Sequence, residues 1–392
     1  MTALERVDWG DLREQLAQMG ADAWLLWSFR GVNPVADRVL GMGGMGTRRL
    51  FVLLPREGEA VAVAHRIELQ PLAAFPGRVI AYSRWQELKD ALKGLVAGRT
   101  VAMEVSEDDA VPYLDRVPYG VVQLIQGLGG RVISSAPLVT RFAATWSGAE
   151  LEDHLFAAEI LAEIARAAVA ETVQSPAGVT EFEVQQKVAA AVQAKGLVFD
   201  HPPIVAFGAN TANPHYEPKS GRSAALKEGD VVLLDLWAGR RMDTVFADQT
   251  WMGFAGARPT ERVLRVWETV RSARDAAIAL LRERWRASEP VYGFEADQAA
   301  RGVIDGAGWG AGFVHRTGHS IDRDLHGSGP HLDDYETRDD RRLVAGIGFS
   351  VEPGIYLPGE FGMRSEVNVH LEAAAPRVTP REPQRNLILK AS

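Results

Sequence analysis

The chain contains no cysteine. That absence removes disulfide frameworks, thiolate nucleophiles and cysteine-ligated zinc or iron–sulfur sites. No run of about 18 consecutive apolar residues occurs, so the sequence offers no membrane-spanning helix. There is no block of lysine and arginine, and the formal net charge is −8. A phosphate-tracking surface needs the opposite balance, which argues against a general nucleic-acid binder. The first twenty residues are charged and amphipathic, with no apolar stretch of signal-peptide type. A cytoplasmic location is the default expectation, with neither nucleic acid nor membrane as partner.

What remains has the make-up of a globular enzyme. At 392 residues, with 24% charged, the chain is long enough for two domains. Apolar runs at 23–29, 50–54, 60–64, 78–82 and 100–105 alternate with helical segments and predict an α/β domain. Residues 141–150 carry no sustained pattern and suggest a boundary. Beyond them, 149–173 and 261–286 read as long helices. Each is followed by a shorter helical segment and then by strands. This doubling predicts two similar halves with a site between them.

Five residues in those halves stand out: Asp235 in LLDLWAG, Asp248 in FADQTW, His319 in HRTGHS, Glu352 in SVEPGIY and Glu366 in MRSEVNV. Singly, each has a plain explanation. Asp235 can pair with Arg240 or Arg241, Asp248 can end a strand, and Arg364 with Glu366 can be a surface pair. Together, four carboxylates and an imidazole in one buried space require neutralisation by cations. Six of the nine histidines lie between 201 and 331, which favours a site there. Two motifs mislead. GMGGMG at 41–46 matches a dinucleotide fingerprint, yet a strand-like run follows it instead of a helix. HxxxH at 315–319 lacks the glutamate of the zincin motif.

In their order and contexts these residues resemble the M24 metallopeptidases of pita-bread fold, specifically the Xaa-Pro branch (prolidase and aminopeptidase P). The likeness is strong over roughly 150–390. The first 140 or so residues look like the creatinase/prolidase N-terminal domain. The resemblance implies an α/β (α+β) chain, with an N-terminal domain at 1–142 and a pita-bread catalytic domain of two pseudo-symmetric halves at 143–392. It implies two divalent metals, Mn²⁺ first with Co²⁺ or Zn²⁺ as alternatives, held by Asp235, Asp248, His319, Glu352 and Glu366. It makes Glu352 the general base, with His215 and His326 as catalytic partners. His215, His315, His326, Arg364 and Tyr356 become the substrate-binding set. The expected reaction is hydrolysis of the bond before proline in a small Xaa-Pro peptide. A dipeptidase is favoured over an aminopeptidase P acting on longer peptides. A metal-dependent lyase and a non-catalytic pita-bread binding module are the rivals from other classes.

The family often dimerises, so a homodimer is expected. The loop at 30–49, through Asp37 and Arg48, is then a candidate lid over a partner's site. The chain also departs from the family pattern. Trp237 replaces a glycine, Trp251 an arginine, and Ser320 and Asp322 two more glycines. The Asp235–Asp248 spacing is two residues longer than usual, which a longer hairpin loop would absorb.

Overall fold

Short, continuous apolar strands build the N-terminal part of the chain, and long helices with strands build the rest. A computed structural model of the protein describes residues 4–41, 46–175 and 178–391. The chain divides into two compact units, Met1–Ala143 and Ala144–Ser392. The break lies one residue beyond the division read from the sequence.

The first unit runs α1 (Trp9–Gln18), β1 (Ala23–Ser28), α2 (Pro34–Leu40), β2 (Leu50–Pro55), β3 (Ala60–His65), β4 (Gly77–Tyr82), α3 (Trp85–Val96), β5 (Thr100–Met103), α4 (Tyr119–Gly127), β6 (Arg131–Ser134) and the short α5 (Ala136–Leu138). Its six strands form one mixed sheet, ordered β4-β3-β2-β1-β5-β6. Successive residues of β1 serve opposite faces. Trp24 and Leu26 pack with Leu12 and Leu16 of α1, while Leu25 and Trp27 pack with Leu88 and Leu92 of α3. A strand covered on both faces needs an unbroken apolar run, which 23–27 supplies. Strand β6 was not legible in the sequence because it is short and only partly buried. Gly41 ends α2 with φ +62°. Residues 42–45, most of the GMGGMG stretch, lie outside the described residues.

The second unit repeats one pattern. Helices α6 (Gly148–Gln174) and α7 (Glu181–Ala194) precede β7 (Ile204–Phe207), β8 (Val231–Ala238) and β9 (Ala247–Phe254). Helices α8 (Glu261–Ala287) and α9 (Gly293–Gly306) precede β10 (Ser320–Ile321), β11 (Gly348–Val351), β12 (Gly354–Leu357), β13 (Phe361–Arg364), β14 (Val367–Leu371), β15 (Pro376–Thr379) and β16 (Ile388–Leu389). Two four-stranded sheets result, β16-β9-β8-β7 and β10-β11-β14-β15, with β12-β13 as a separate hairpin. Helix α6 starts at a capping box in which Ser147 and Glu150 satisfy each other's backbone N–H groups. Thr260 caps α8 through a bond from Val263 N.

The period of two on β8 positions the site. Val232, Leu234 and Leu236 join the core under α6 and α7. Val231 and Leu233 join the core under α8 and α9. Asp235 and Trp237 continue that second row. Among the described residues, no helix is long and apolar enough to cross a membrane.

Behind the sheets, His154 of α6 is buried with its ring 4.6 Å from that of Trp146. Its Nδ1 faces the Phe246 carbonyl at 3.0 Å, so Nδ1 donates and Nε2 accepts from the Thr379 hydroxyl at 2.9 Å. Burial holds the imidazole down to about 4, against an ordinary value of 6.5. A histidine kept neutral in the fold supports stability above pH 6.5, and that support drains away as pH falls towards 4. The loss across this window is expected to be about 3 kcal/mol relative to His154→Gln at equal metal content. Urea melts of both proteins at pH 7.5 and 4.5 check it; parallel pH dependence would contradict the assignment.

Candidate metal centre

Strand pairing delivers the first two acidic residues. In the antiparallel β8–β9 pair, Asp235 lies opposite Thr250 and Trp237 opposite Asp248. Directly opposed residues share a face. Asp235, Asp248 and Thr250 therefore project together, and the longer Asp235–Asp248 spacing is taken up in the 239–246 loop. That loop is anchored away from the site: Arg241 and the Thr244 hydroxyl both bind Asp153, at 2.9 and 2.7 Å. Asp235 is thus left to Arg364, not to Arg240 or Arg241.

His319 and Glu352 come from the second half. Gly318, just before His319, lies so close to β11 that a Cβ there would sit 2.0 Å from the Ser350 carbonyl oxygen. Only glycine permits that approach. The Ser350 hydroxyl accepts from His319 N at 2.9 Å and donates to Glu352 Oε1 at 3.0 Å, joining both residues. Helix α9 braces the same segment. Asp297 Oδ1 accepts from Thr317 N and Oγ1 at 2.9 and 2.7 Å. Arg301 donates to the His315 carbonyl at 2.9 Å. Glu366, between β13 and β14, accepts from the Thr250 hydroxyl at 2.6 Å. Asn368 of β14 accepts from Asp248 N at 2.9 Å, which ties the two sheets together at the site.

Three of the five residues contact one arginine. Arg364 pairs with Asp235, stands 3.7 Å from both Glu352 and Glu366, and donates to Thr250 Oγ1 at 2.7 Å. His319 Nε2 lies 3.4 Å from Asp248 Oδ2 and 3.4 Å from Glu352 Oε1. Its Nδ1 faces the Ser320 carbonyl at 3.2 Å, and a carbonyl only accepts. Nδ1 therefore donates to that carbonyl, and Nε2 faces the carboxylates; against its burial, Asp248 and Glu352 raise the ring above its ordinary 6.5, and a metal ion would take the place of the Nε2 proton. Asp248, His319 and Glu366 offer ligand atoms within 4.8 Å of one another.

Electrostatics mark a pocket short of positive charge. Burial raises Asp235 to about 7 despite Arg364. Burial, with Glu352 nearby, also raises Asp248. Burial and the neighbouring Asp248 and Glu352 lift Glu366 well above the carboxylate range. Only Glu352 is held low, to about 2, because His319, Arg364, His315 and His326 together outweigh its burial. Glu366 Oε1 is buried without a hydrogen-bond partner. An unpartnered carboxylate oxygen beside an imidazole lone pair and further carboxylates is the donor set of a divalent cation.

The remaining predicted residues differ in placement. His315 donates from Nδ1 to the Arg316 carbonyl at 2.7 Å, so Nε2 accepts from the Tyr356 hydroxyl at 2.9 Å. Burial pushes Tyr356 up to about 12, which keeps it a donor. The His326 ring lies edge-on to His319, centroids 4.2 Å apart. His215 is exposed and within electrostatic range of His326. Asp37 on α2 accepts from the Ser28 hydroxyl at 2.7 Å, and Arg48 is exposed and donates to Thr47; both belong to the first unit. Trp237 stands beside Asp248 on the ligand face, its indole N–H fixed by Asp200 Oδ1 at 2.7 Å.

Fold and site together define a metal-dependent hydrolase built from two similar halves. The sequence profile of metallopeptidase family M24 matches residues 152–373, more than half of the chain. The chain belongs to that family, and so is a peptidase that binds divalent metal. A probable dipeptidase PepE of Mycobacterium tuberculosis is 29% identical over 81% of this chain and 80% of its own length. A Xaa-Pro dipeptidase of Lactobacillus delbrueckii is 34% identical over 48% of this chain and 46% of its own. Among solved structures, dipeptidase PepE of Mycobacterium ulcerans superposes with a TM-score of 0.74 at 23% identity, covering 99% of both chains. The prolidase of Thermococcus sibiricus gives 0.66 at 24% identity and the same coverage. These likenesses carry the pita-bread fold with its smaller N-terminal domain.

Removing Glu366's charge is expected to help the metal-free protein and harm the enzyme. A carboxyl raised by burial stabilises the fold below its ordinary value of 4.5, and that contribution is lost as pH rises through its folded value. In chelator at pH 7.5, Glu366→Gln is expected to be more stable than the parent by about 1–3 kcal/mol. Adding Mn²⁺ is expected to raise the parent's Tm and leave the variant's nearly unchanged. Thermal melts with and without metal decide; a destabilised metal-free variant would contradict this electrostatic account.

Proposed function

We propose that the protein is a Xaa-Pro dipeptidase using two divalent ions, with Mn²⁺ the first choice. The observation that carries this reading is the cluster of three buried carboxylates, the part-buried Glu352 and one buried imidazole beside a single arginine. Arg364 cancels one of the four negative charges. One divalent ion would leave the pocket negative; two would leave a single positive charge. Asp235, Asp248, His319, Glu352 and Glu366 would hold the ions. Such a pair activates water and polarises the scissile carbonyl.

The chain's own groups do the rest. Glu352, kept ionised with Arg364 3.7 Å away, accepts the proton of the attacking water. Its low pKa makes position, more than basicity, the source of its effect. His326 and His215 donate to the developing negative charge or to the substrate carboxylate. The Tyr356 hydroxyl, aligned by His315, and Arg364 line the same pocket. The dipeptidases and prolidases among the similar proteins support a short substrate ending in proline. In this reading the enzyme is a cytoplasmic homodimer, and Asp37 and Arg48 of one subunit close over the other's site.

Metal-depleted protein assayed on Xaa-Pro, Xaa-Pro-Yaa and Xaa-Ala, with Mn²⁺, Co²⁺ or Zn²⁺ restored, is expected to cleave Xaa-Pro best and only with metal. Failure to cleave any proline peptide would overturn the reading, and a preference for Xaa-Pro-Yaa would move it to aminopeptidase P. Glu352→Gln is expected to lower kcat by at least about 10³-fold. Arg48→Ala is expected to raise activity on the tripeptide relative to the dipeptide; an unchanged ratio rejects the lid.

A further inference from the structure

Asp322 is a buried carboxylate outside the cluster of five. It follows β10, three residues after His319. Its Oδ1 accepts from Asp324 N at 2.9 Å. Its Oδ2 accepts from both the backbone N and the hydroxyl of Ser328, each at 2.9 Å. Asp322 N in turn donates to the Asp324 carbonyl at 3.1 Å. One side chain therefore closes the loop 322–328 from inside.

The neighbouring glycine completes the closure. A Cβ on Gly327 would lie 2.7 Å from Asp322 Cγ, so the backbone lies against the carboxylate. Gly327 N donates to the Ser320 carbonyl at 2.7 Å, returning the loop to the strand that follows His319. The residue held between these fixed points is His326, whose ring meets His319 at 4.2 Å. A carboxylate accepting three bonds at the centre of a short loop restricts it to one conformation.

We infer that Asp322 is a positioning residue for catalysis: it holds His326 against the metal-binding histidine in the orientation the reaction uses. The inference rests on the proposed role of His326 and adds what keeps that ring in place. A donor that is already oriented loses nothing in being ordered during the reaction, so a loosened loop costs rate while the metal ligands stay as they are.

A double-mutant cycle on the Mn²⁺-loaded enzyme with a Xaa-Pro dipeptide tests this. His326→Ala is expected to lower kcat/KM by about 10²–10³-fold. Asp322→Ala is expected to cost at least about 10-fold where His326 is present and under about 2-fold in the His326→Ala background. Asp322→Asn, which keeps one acceptor oxygen, and Ser328→Ala are expected to fall between parent and Asp322→Ala, and they serve if Asp322→Ala does not fold. Mn²⁺ affinity is expected to stay within about 2-fold throughout, a readout that general damage to the site would move. Equal cost in both backgrounds, or a parallel loss of Mn²⁺ affinity, would overturn the positioning role. A silent Asp322→Ala beside a damaging His326→Ala sinks the inference alone; a silent His326→Ala sinks the role of His326 and the inference with it.

Discussion

The constraint on which the second unit depends is the clustering of four carboxylates, three of them buried, with one guanidinium. Arg364 reaches Asp235, Glu352 and Glu366 directly, and reaches Glu366 again through the Thr250 hydroxyl. Protein alone supplies too little positive charge there. The pocket answers by keeping protons on some of its acids and leaving one Glu366 oxygen without a partner. Such an arrangement is costly unless a cation completes it. Stability and catalysis thus pull in opposite directions at the same atoms.

The two halves exist to make that cluster. Each contributes strands from its own sheet, and the Asp248–Asn368 bond joins the sheets where the acidic residues meet. Rigidity comes from residues with no metal role: Ser350 between His319 and Glu352, and Asp297 with Arg301 under the 315–317 segment. The histidine tautomers follow from this bracing. A backbone carbonyl fixes each Nδ1 proton, which leaves Nε2 of His319 available to a cation among the carboxylates and Nε2 of His315 to Tyr356. Beside this frame, Trp237 is tied to Asp200 and Asp322 closes a loop.

Much of this was legible in the sequence because the acids interrupt apolar strands. Asp235 in LLDL and Glu352 in SVEPG stand where burial was expected, and a charge in such a place needs a reason. The long helices and the sheet of the first unit followed from periodicity. The bracing residues were not legible, since a serine, a threonine or an asparagine in a strand carries no signal until the partner strand is known. Thr250 was the exception within reach: it lies two residues after Asp248 and so on the same face. The register also explains how the longer Asp235–Asp248 spacing is accommodated. The extra residues lie in the hairpin loop, and the strands that carry both aspartates stay aligned.

A calorimetric titration of metal-free protein with Mn²⁺ at pH 7, repeated in buffers of different ionisation enthalpy, tests the central claim most directly. The account predicts two ions per chain, with protons released as the raised carboxylates give them up. One ion or none, or binding without proton release, would contradict it.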